Sequence, residues 1–328
     1  MIISQTPLRI SFLGGNTDFP QFYKRYGGGV LTTAIDKYIY CIITKRFDEK
    51  IYVNWSKKEI VDDVSQIEHE LVREALKKLK IFRGIEVTFL SDIPADGSGL
   101  GSSSSVTVGV LNALYSFKGL TVSAEQLAKE AIEIEVDILK KPIGIQDQYI
   151  AAYGGLRYFE FEKSGQVNSH KINLEDGVFE DLDNSLMLFY TGRARKSEAI
   201  LTNLTKTLDD QEKIRLLLET RDIARKGYRD FCQKKVENIG NLLKKGWEIK
   251  KGMAVGISDS QIDKMYETAL MAGAEGGKIA GAGGGGFMLL VVPYEKRSKV
   301  RLALKDYREV PFRLEPEGSK IIFNYRNN

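Results

Sequence analysis

An α+β fold in two domains is what this sequence predicts, and three observations carry the prediction. Helical and strand-like segments are mixed without the regular strand–helix–strand alternation of a doubly wound parallel sheet. The chain has 328 residues, more than a single hydrophobic core usually reaches. Around residues 163–185, Gly, Asn, Asp and Glu accumulate, which marks turns and linkers. A boundary there divides the chain into 1–180 and 181–328.

Residues 1–54 read as strands, in the pieces MIIS, PLRISFLGG and VLTTAIDKYIYCIITKRF, because β-branched and aromatic residues dominate them. Residues 67–80 place Ile67, Leu71, Ala75 and Leu79 four apart, with Val72 and Leu76 alongside, so an amphipathic helix is expected. IEVTFL (85–90) is a strand that leads through PADGSGLGSSSS into the apolar, helix-like VTVGVLNALYSF. Ser123 followed by Gln126 is a capping-box start for a further helix. GIQDQYIAAYGG reads as a turn and short helix, and LRYFEF (156–161) alternates like a strand. In the second half a strand SLMLFYTG is followed by charged helices between about 194 and 273. The glycine-rich block GGKIAGAGGGGFMLLVV, a helix over 294–307 and two short strands complete the chain.

Composition excludes several classes of function. Net charge is +4 with acids and bases interspersed, which is no nucleic-acid footprint. FMLLVV (287–292) is strand-sized, and no run is long enough to span a bilayer. The N-terminus has no basic region before a long apolar core, so the chain reads as soluble and cytoplasmic. Two distant cysteines, Cys41 and Cys232, resemble no disulfide framework. With two histidines, His69 and His170, a histidine metal site or a Ser-His-Asp triad is poorly supplied, and each reads as a surface or helix-face residue. Oligomeric state is left open.

The stretch 94–105 packs three glycines and five serines directly before a helix. A flexible linker would be flanked by polar sequence, and this loop is not. A dinucleotide turn needs G-x-G-x-x-G between strand and helix; Ser102 breaks that register, and the true match at Gly281, Gly283 and Gly286 precedes a strand instead. A phosphate cradle fits: glycines let amides approach an anion, and the helix adds free N–H groups and the positive end of its dipole. Gly97, Ser98, Gly99, Leu100, Gly101, Ser102, Ser103 and Ser104 are the nucleotide-binding candidates. No G-x-x-x-x-G-K-[ST] occurs, so the loop is not a P-loop.

PADGSGLGSSSS resembles the phosphate motif P-x-G-x-G-L-G-S-S-x-A of the GHMP small-molecule kinases, with Ser105 in place of the alanine. PLRISFLGGNTDFP (7–20) is similar to the family's N-terminal substrate motif, and KIAGAGGGGF (278–287) to its C-terminal glycine-rich motif. The resemblance spans residues 7–287 and implies an ATP- and Mg²⁺-dependent kinase. It also implies a ribosomal-S5-domain-2-like N-terminal domain and a ferredoxin-like C-terminal domain with the site between them. GGNTD at 14–18 replaces the galactokinase-type GEHTD. Together with PIGIQDQYIAAYGG it looks most like the branch acting on D-glycero-D-manno-heptose 7-phosphate, with fucokinase-type sugar 1-kinases nearby. That branch would phosphorylate the anomeric hydroxyl, in the making of nucleotide-activated heptose.

The resemblance also implies roles. Asp147 matches the catalytic aspartate, where a helix cap is the alternative; Arg9 matches the arginine beside the transferred phosphate, where a structural ion pair is the alternative. Glu135, with Ser103, matches the metal site; Glu133 and Asp137 in EIEVD are the alternative ligands, and a solvated helix face is the other reading. Asp18, with Asn16 and Thr17, would meet substrate hydroxyls, unless it stabilises a turn. Gly283 and Gly284 would bring backbone to the substrate, or simply turn the chain. Arg193, Arg195 and Lys196 are the cluster that would bind a phosphate already carried by the acceptor, if they are not a solvated turn.

Overall fold

The computed structural model describes residues 1–94, 97–193, 202 and 210–325. Its frame is an eight-stranded sheet. Strand β1 (Ile2–Leu13) lies between β2 (Gly28–Lys45) and β11 (Lys320–Asn324), so both ends of the chain meet in one sheet. β1 is one strand where the sequence suggested two. Pro7 is accommodated because the register slips between Pro7 and Leu8, the kind of irregularity where a strand tolerates a proline. β2 is long enough to serve three neighbours: its first half pairs with β6 (Leu156–Phe161) and its second with β5 (Ile85–Ser91), while β1 runs along both. The hairpin β3 (Ile51–Asn54) and β4 (Lys58–Val61), together with β7 (Val167–Lys171), completes the sheet.

Helix α3 (Ser102–Phe117) covers this sheet and is buried nearly all round. It comes close because Gly109 faces β1: a Cβ there would lie 2.8 Å from Thr6 Oγ1. Ser4 Oγ donates to Gly109 O at 2.8 Å and Ser105 Oγ to Pro7 O at 2.8 Å. These bonds fix the N-terminus of α3 beside Arg9. Around it lie α2 (Glu70–Lys78), α4 (Ala124–Ile132) and α5 (Gln146–Tyr153).

The second sheet has three antiparallel strands in the order β8 (Leu186–Tyr190), β10 (Phe287–Val291), β9 (Gly276–Ile279). α8 (Ile239–Lys251) and α9 (Ser260–Ala272) pack on it, and α10 (Arg297–Ala303) lies against α9. α7 (Gln211–Cys232) packs between α8 and strands β1 and β2 of the first sheet. Gly276 admits α8 closely, since a Cβ there would fall 2.0 Å from Gly240 O. Helices α1 (Pro20–Tyr26) and α6 (Asp176–Ser185) complete the described elements. Cys41 is buried, Cys232 exposed, and both are free. Among the described residues no helix is long and apolar enough to cross a membrane.

Candidate active site

A cleft of about 1150 Å³ is lined by the end of β1, the 97–104 loop, the starts of α3 and α5, and from the other side by α7, α8 and β9. In the loop, Gly97, Gly99 and Gly101 take positive φ of 68°, 73° and 81°. Left-handed residues alternating with others turn successive N–H groups to one side, an anion-binding concavity. Among the described residues, the first amide of α3 to find a carbonyl is Ser105 N–H, on Gly101 O at 3.1 Å. Among the described residues no backbone carbonyl takes the amides of Ser102, Ser103 or Ser104, and all three residues line the cleft. Ser98 and Ser102 share a hydroxyl–hydroxyl bond of 2.9 Å, and Leu100 N–H donates to Ser98 Oγ.

The second glycine-rich loop packs on the first, backbone to backbone. A Cβ on Gly281 would meet Gly99 Cα at 2.6 Å, and one on Gly286 would meet Ser98 O at 2.6 Å. Gly283 and Gly284 are corrected by this geometry. Gly283 abuts Ile257, and Gly284 N–H is taken by Ile257 O at 2.8 Å; Gly281 and Ala282 line the cleft in their place.

Arg9 and Asp147 meet in a bidentate pair, with Nε to Oδ1 and Nη2 to Oδ2 both at 2.6 Å. Arg9 Nη1 also donates to Gly99 O at 2.6 Å, so one guanidinium ties the phosphate-type loop to the carboxylate. Asp147 stands in the first turn of α5, where the helix dipole favours negative charge. Asp18 is buried beside it and accepts from Gln146 N–H at 3.0 Å and Gln146 Nε2 at 3.2 Å. Burial, helped by the Asp147 charge, pushes Asp18 up to about 6. Gly144 leaves the room: a Cβ there would fall 2.0 Å from Asp18 Oδ2. Asn16 lines the cleft at a positive φ of 74°. Thr17 is corrected from the substrate set, because its buried hydroxyl faces the chain, donating toward Gly14 O and Gly29 O and accepting from Gly29 N–H.

Glu135 is delivered by a turn of π-helix, Glu133–Ile138, that continues α4; such bulges re-aim side chains and recur at functional sites. It is fully buried, and burial pushes its carboxyl up to about 7. Oε2 accepts from Ser104 Oγ at 3.1 Å and Gln148 Nε2 at 3.2 Å, with the Thr107 hydroxyl close by, whereas among the described residues no donor lies within hydrogen-bond distance of Oε1. The hydroxyl touching Glu135 is therefore that of Ser104, while Ser103 presents its own to the cleft from an exposed position. Hard oxygens with an unpartnered carboxylate oxygen suit Mg²⁺, which keeps several waters and needs few protein ligands. Among the described residues no cluster of three or more His, Cys, Asp and Glu assembles.

Arg193 pairs with Asp259, the cap residue of α9, and is absent from the cleft lining; Arg195 and Lys196 lie outside the described residues. Three residues to which the sequence assigned no site role do line the cleft. His69 caps α2 through Nδ1 and stacks on Phe89 at 5.6 Å, with Trp55 edge-on at 4.9 Å. Lys250 and Lys278 are buried at the wall opposite the loop. Lys250 had a signal, since it continues the apolar series Leu243 and Trp247 on the inward face of α8. Lys278 stood unassigned inside a motif already quoted.

The comparisons match this architecture. Sequence models of the GHMP kinases N terminal domain and the GHMP kinases C terminal match residues 67–155 and 228–309. The chain is 30% identical, over 97% of its length and 98% of the relative's, to the D-glycero-alpha-D-manno-heptose 7-phosphate kinase of Campylobacter jejuni. The chain belongs to the GHMP kinase family. It is a phosphotransferase with an alcohol group as acceptor, and its two-domain α+β fold is the one the family implies. A solved D-glycero-D-manno-heptose 1-phosphate kinase from Bacteroides thetaiotaomicron superposes with a TM-score of 0.82 at 26% identity, covering 99% of this chain and 100% of that one. Lactococcus lactis galactokinase, solved with galactose, shares the GHMP kinase fold at a TM-score of 0.77 and 20% identity, covering 97% and 94%.

Proposed function

We propose that this GHMP kinase transfers a phosphoryl group from ATP, with Mg²⁺, to the anomeric hydroxyl of D-glycero-D-manno-heptose 7-phosphate, giving the 1,7-bisphosphate. The observation that carries the reading is the Arg9–Asp147 pair, held at 2.6 Å beside Gly99 and facing the same cleft as Asp18. Phosphoryl transfer asks mainly for positioning and charge neutralisation. The free amides of Ser102–Ser104 hold the phosphates of ATP. Arg9 meets negative charge that develops on the transferred group and fixes the orientation of Asp147, which takes the proton of the attacking hydroxyl. Asp18 and Asn16 bind other hydroxyls of the sugar. Glu135 and Ser103 would hold Mg²⁺, whose contribution is to neutralise charge on the phosphate oxygens.

The heptose assignment draws on the 30% identical relative. The names of that relative and of the Bacteroides structure put the phosphate at different carbons, 7 and 1, so the product must be identified as well as the turnover. The test is ADP release over a panel of heptose 7-phosphate, heptose 1-phosphate, L-fucose and D-galactose, with ³¹P spectra of each product. Turnover confined to heptose 7-phosphate with a new anomeric phosphate is expected. Comparable turnover of an unphosphorylated sugar would remove the substrate assignment.

A further inference from the structure

Lys250 and Lys278 approach the cleft from different elements. Lys250 Nζ donates to Ile279 O at 3.1 Å and Gly281 O at 2.5 Å, at the end of β9. Lys278 Nζ donates to Ser11 O at 2.9 Å and Phe12 O at 3.1 Å, at the end of β1. Each ammonium has three donors, so each keeps one. Both side chains are more than nine-tenths buried and both line the cleft. Among the described residues no carboxylate reaches either within ion-pair distance. Arg9 is committed to Asp147, and Asp18 to the two Gln146 donors. A buried ammonium without a counter-ion is expensive, and here two face one another near a third cation. Among the described residues, backbone carbonyls and, for Lys250, the Trp247 ring at 5.8 Å are what offsets them.

We propose that Lys250 and Lys278 form a second anion subsite, which takes the phosphate monoester that the acceptor already carries. This rests on the reading of the acceptor as a sugar phosphate. The charge matches, because a phosphate monoester carries close to two negative charges at neutral pH and would face two ammonium groups. The position matches too. Asn16, Gly246 and Met253 line the cleft with Lys250, and Asp18 and Asn16 stand at the end of the wall that β1 shares with Lys278. Arg193 offers less, since it is already paired with Asp259 and does not line the cleft.

Binding at this subsite is linked to protons. Burial first, then Arg9, pulls Lys278 down to about 7, and burial with Lys278 and Arg9 pulls Lys250 well below the usual amine range. Arg9 on β1 is the charged group that acts on both amines, while Asp147, Asp18, Glu135, Glu68, Glu70, Lys140 and Lys141 line the same cleft. At pH 8 the free protein therefore holds these amines partly neutral, and an arriving dianion recharges them with protons from solvent.

The experiment titrates inorganic phosphate calorimetrically, at pH 8 and in buffers of different ionisation heat, into the full chain saturated with a nonhydrolysable ATP analogue and Mg²⁺. The wild type is expected to bind phosphate with proton uptake, in competition with heptose 7-phosphate. Lys250→Met should weaken phosphate about tenfold or more and raise the KM for heptose 7-phosphate to match, with analogue binding unchanged. Lys278→Met loses the tether to β1, so Lys278→Arg is its partner: phosphate binding should persist and its share of the proton uptake vanish. Absent phosphate binding in the wild type, or undiminished binding in Lys250→Met, overturns the subsite. If phosphate binding depends on the lysines while the wild type turns over no phosphorylated sugar, the subsite stands and the substrate reading falls. If heptose 7-phosphate is turned over with its KM unmoved by Lys250→Met, the substrate reading stands and the subsite falls.

Discussion

The two walls of the cleft prepare for negative charge in different ways. The Gly97–Ser104 wall uses main-chain amides and hydroxyls held by the start of α3, whereas the opposite wall uses two buried amines, Lys250 and Lys278. Amide dipoles neither titrate nor demand a counter-ion when the site empties, so they are ready at every pH. Buried amines can empty only by shedding protons or by suffering desolvation. One wall is fixed and the other adjustable, with Arg9 and Asp147 between them.

The largest expected effect tests the middle. Asp147→Asn keeps the shape of the side chain and removes its basicity, and should lower kcat by about 10²–10⁴. Binding of an ATP analogue, which belongs to the amide wall, should survive. Loss of analogue binding with the same variant would mean that the walls are not separable. Intact turnover would remove Asp147 as the base.

A smaller effect is expected at Gly144. An added Cβ would overlap Asp18 Oδ2 at 2.0 Å and Asp18 Cγ at 2.4 Å, so the carboxylate must move. Displacement of about an ångström at a positioning group is worth on the order of 10–100-fold, and Gly144→Ala should show it in kcat/KM for the acceptor while KM for ATP holds. Equal damage to both substrates would assign Gly144 to the fold rather than to the acceptor end.

Glu135 sharpens the comparison through pH. Its carboxyl is raised from the usual 4.5 to about 7, and that of Asp18 from 3.8 to about 6, both chiefly by burial. The folded, ligand-free protein thus retains protons that the unfolded chain has released. These groups contribute stability that is complete below about pH 4 and is lost as pH rises through 6 to 7. Glu135→Gln cannot ionise, so its Tm should fall less than that of the wild type between pH 5 and pH 8. Its apparent affinity for Mg²⁺ should fall as well. Equal pH slopes in the two proteins would show that Glu135 does not titrate in this range.

How much of this was legible depended on whether a signal was local. The glycine-rich turn before α3, the capping serine of α4 and the spacing of Leu71 and Ala75 are written in adjacent residues. The turn and the cap are present, and α2 spans Glu70–Lys78, shorter than the expected 67–80, so Ile67 and Leu79 fall outside it. β4, β7, β9, α1 and α6 were not anticipated. They are short, and β9 is half glycine, so pairing with β10 makes it a strand where propensity does not. Pro7 suggested a break in β1 because the slip that absorbs it involves Tyr38 and Ile35 on another strand. At the site, residues read as ligands by motif were separated by their partners: Thr17 faces Gly14 and Gly29, and Gly284 faces Ile257. His69 read as a surface or helix-face residue and is a cap stacked on Phe89. Lys278 looks like an ordinary lysine in sequence, and only the apolar series Leu243 and Trp247 hints that Lys250 turns inward. Their burial is a product of how α8 and β9 meet β1.

The smallest effect is expected at Arg193, and it bears on which basic residues face the acceptor. Arg193 stands at the end of the loop after β8, where its carbonyl accepts from Gly286 N–H at 2.9 Å. Its guanidinium pairs with Asp259, which also caps α9 by accepting from Gln261 N–H at 3.0 Å and Ile262 N–H at 3.1 Å. Both side chains of the pair are more than a third exposed, so water screens it, and such pairs contribute about 0–1 kcal/mol. Arg193→Ala leaves the carbonyl and the cap in place. It should change acceptor KM by less than about twofold and stability by no more than the pair itself. A tenfold rise in acceptor KM would instead draw Arg193 into the cleft during turnover. The adjustable wall would then extend across the 193–196 segment and not end at Lys250 and Lys278.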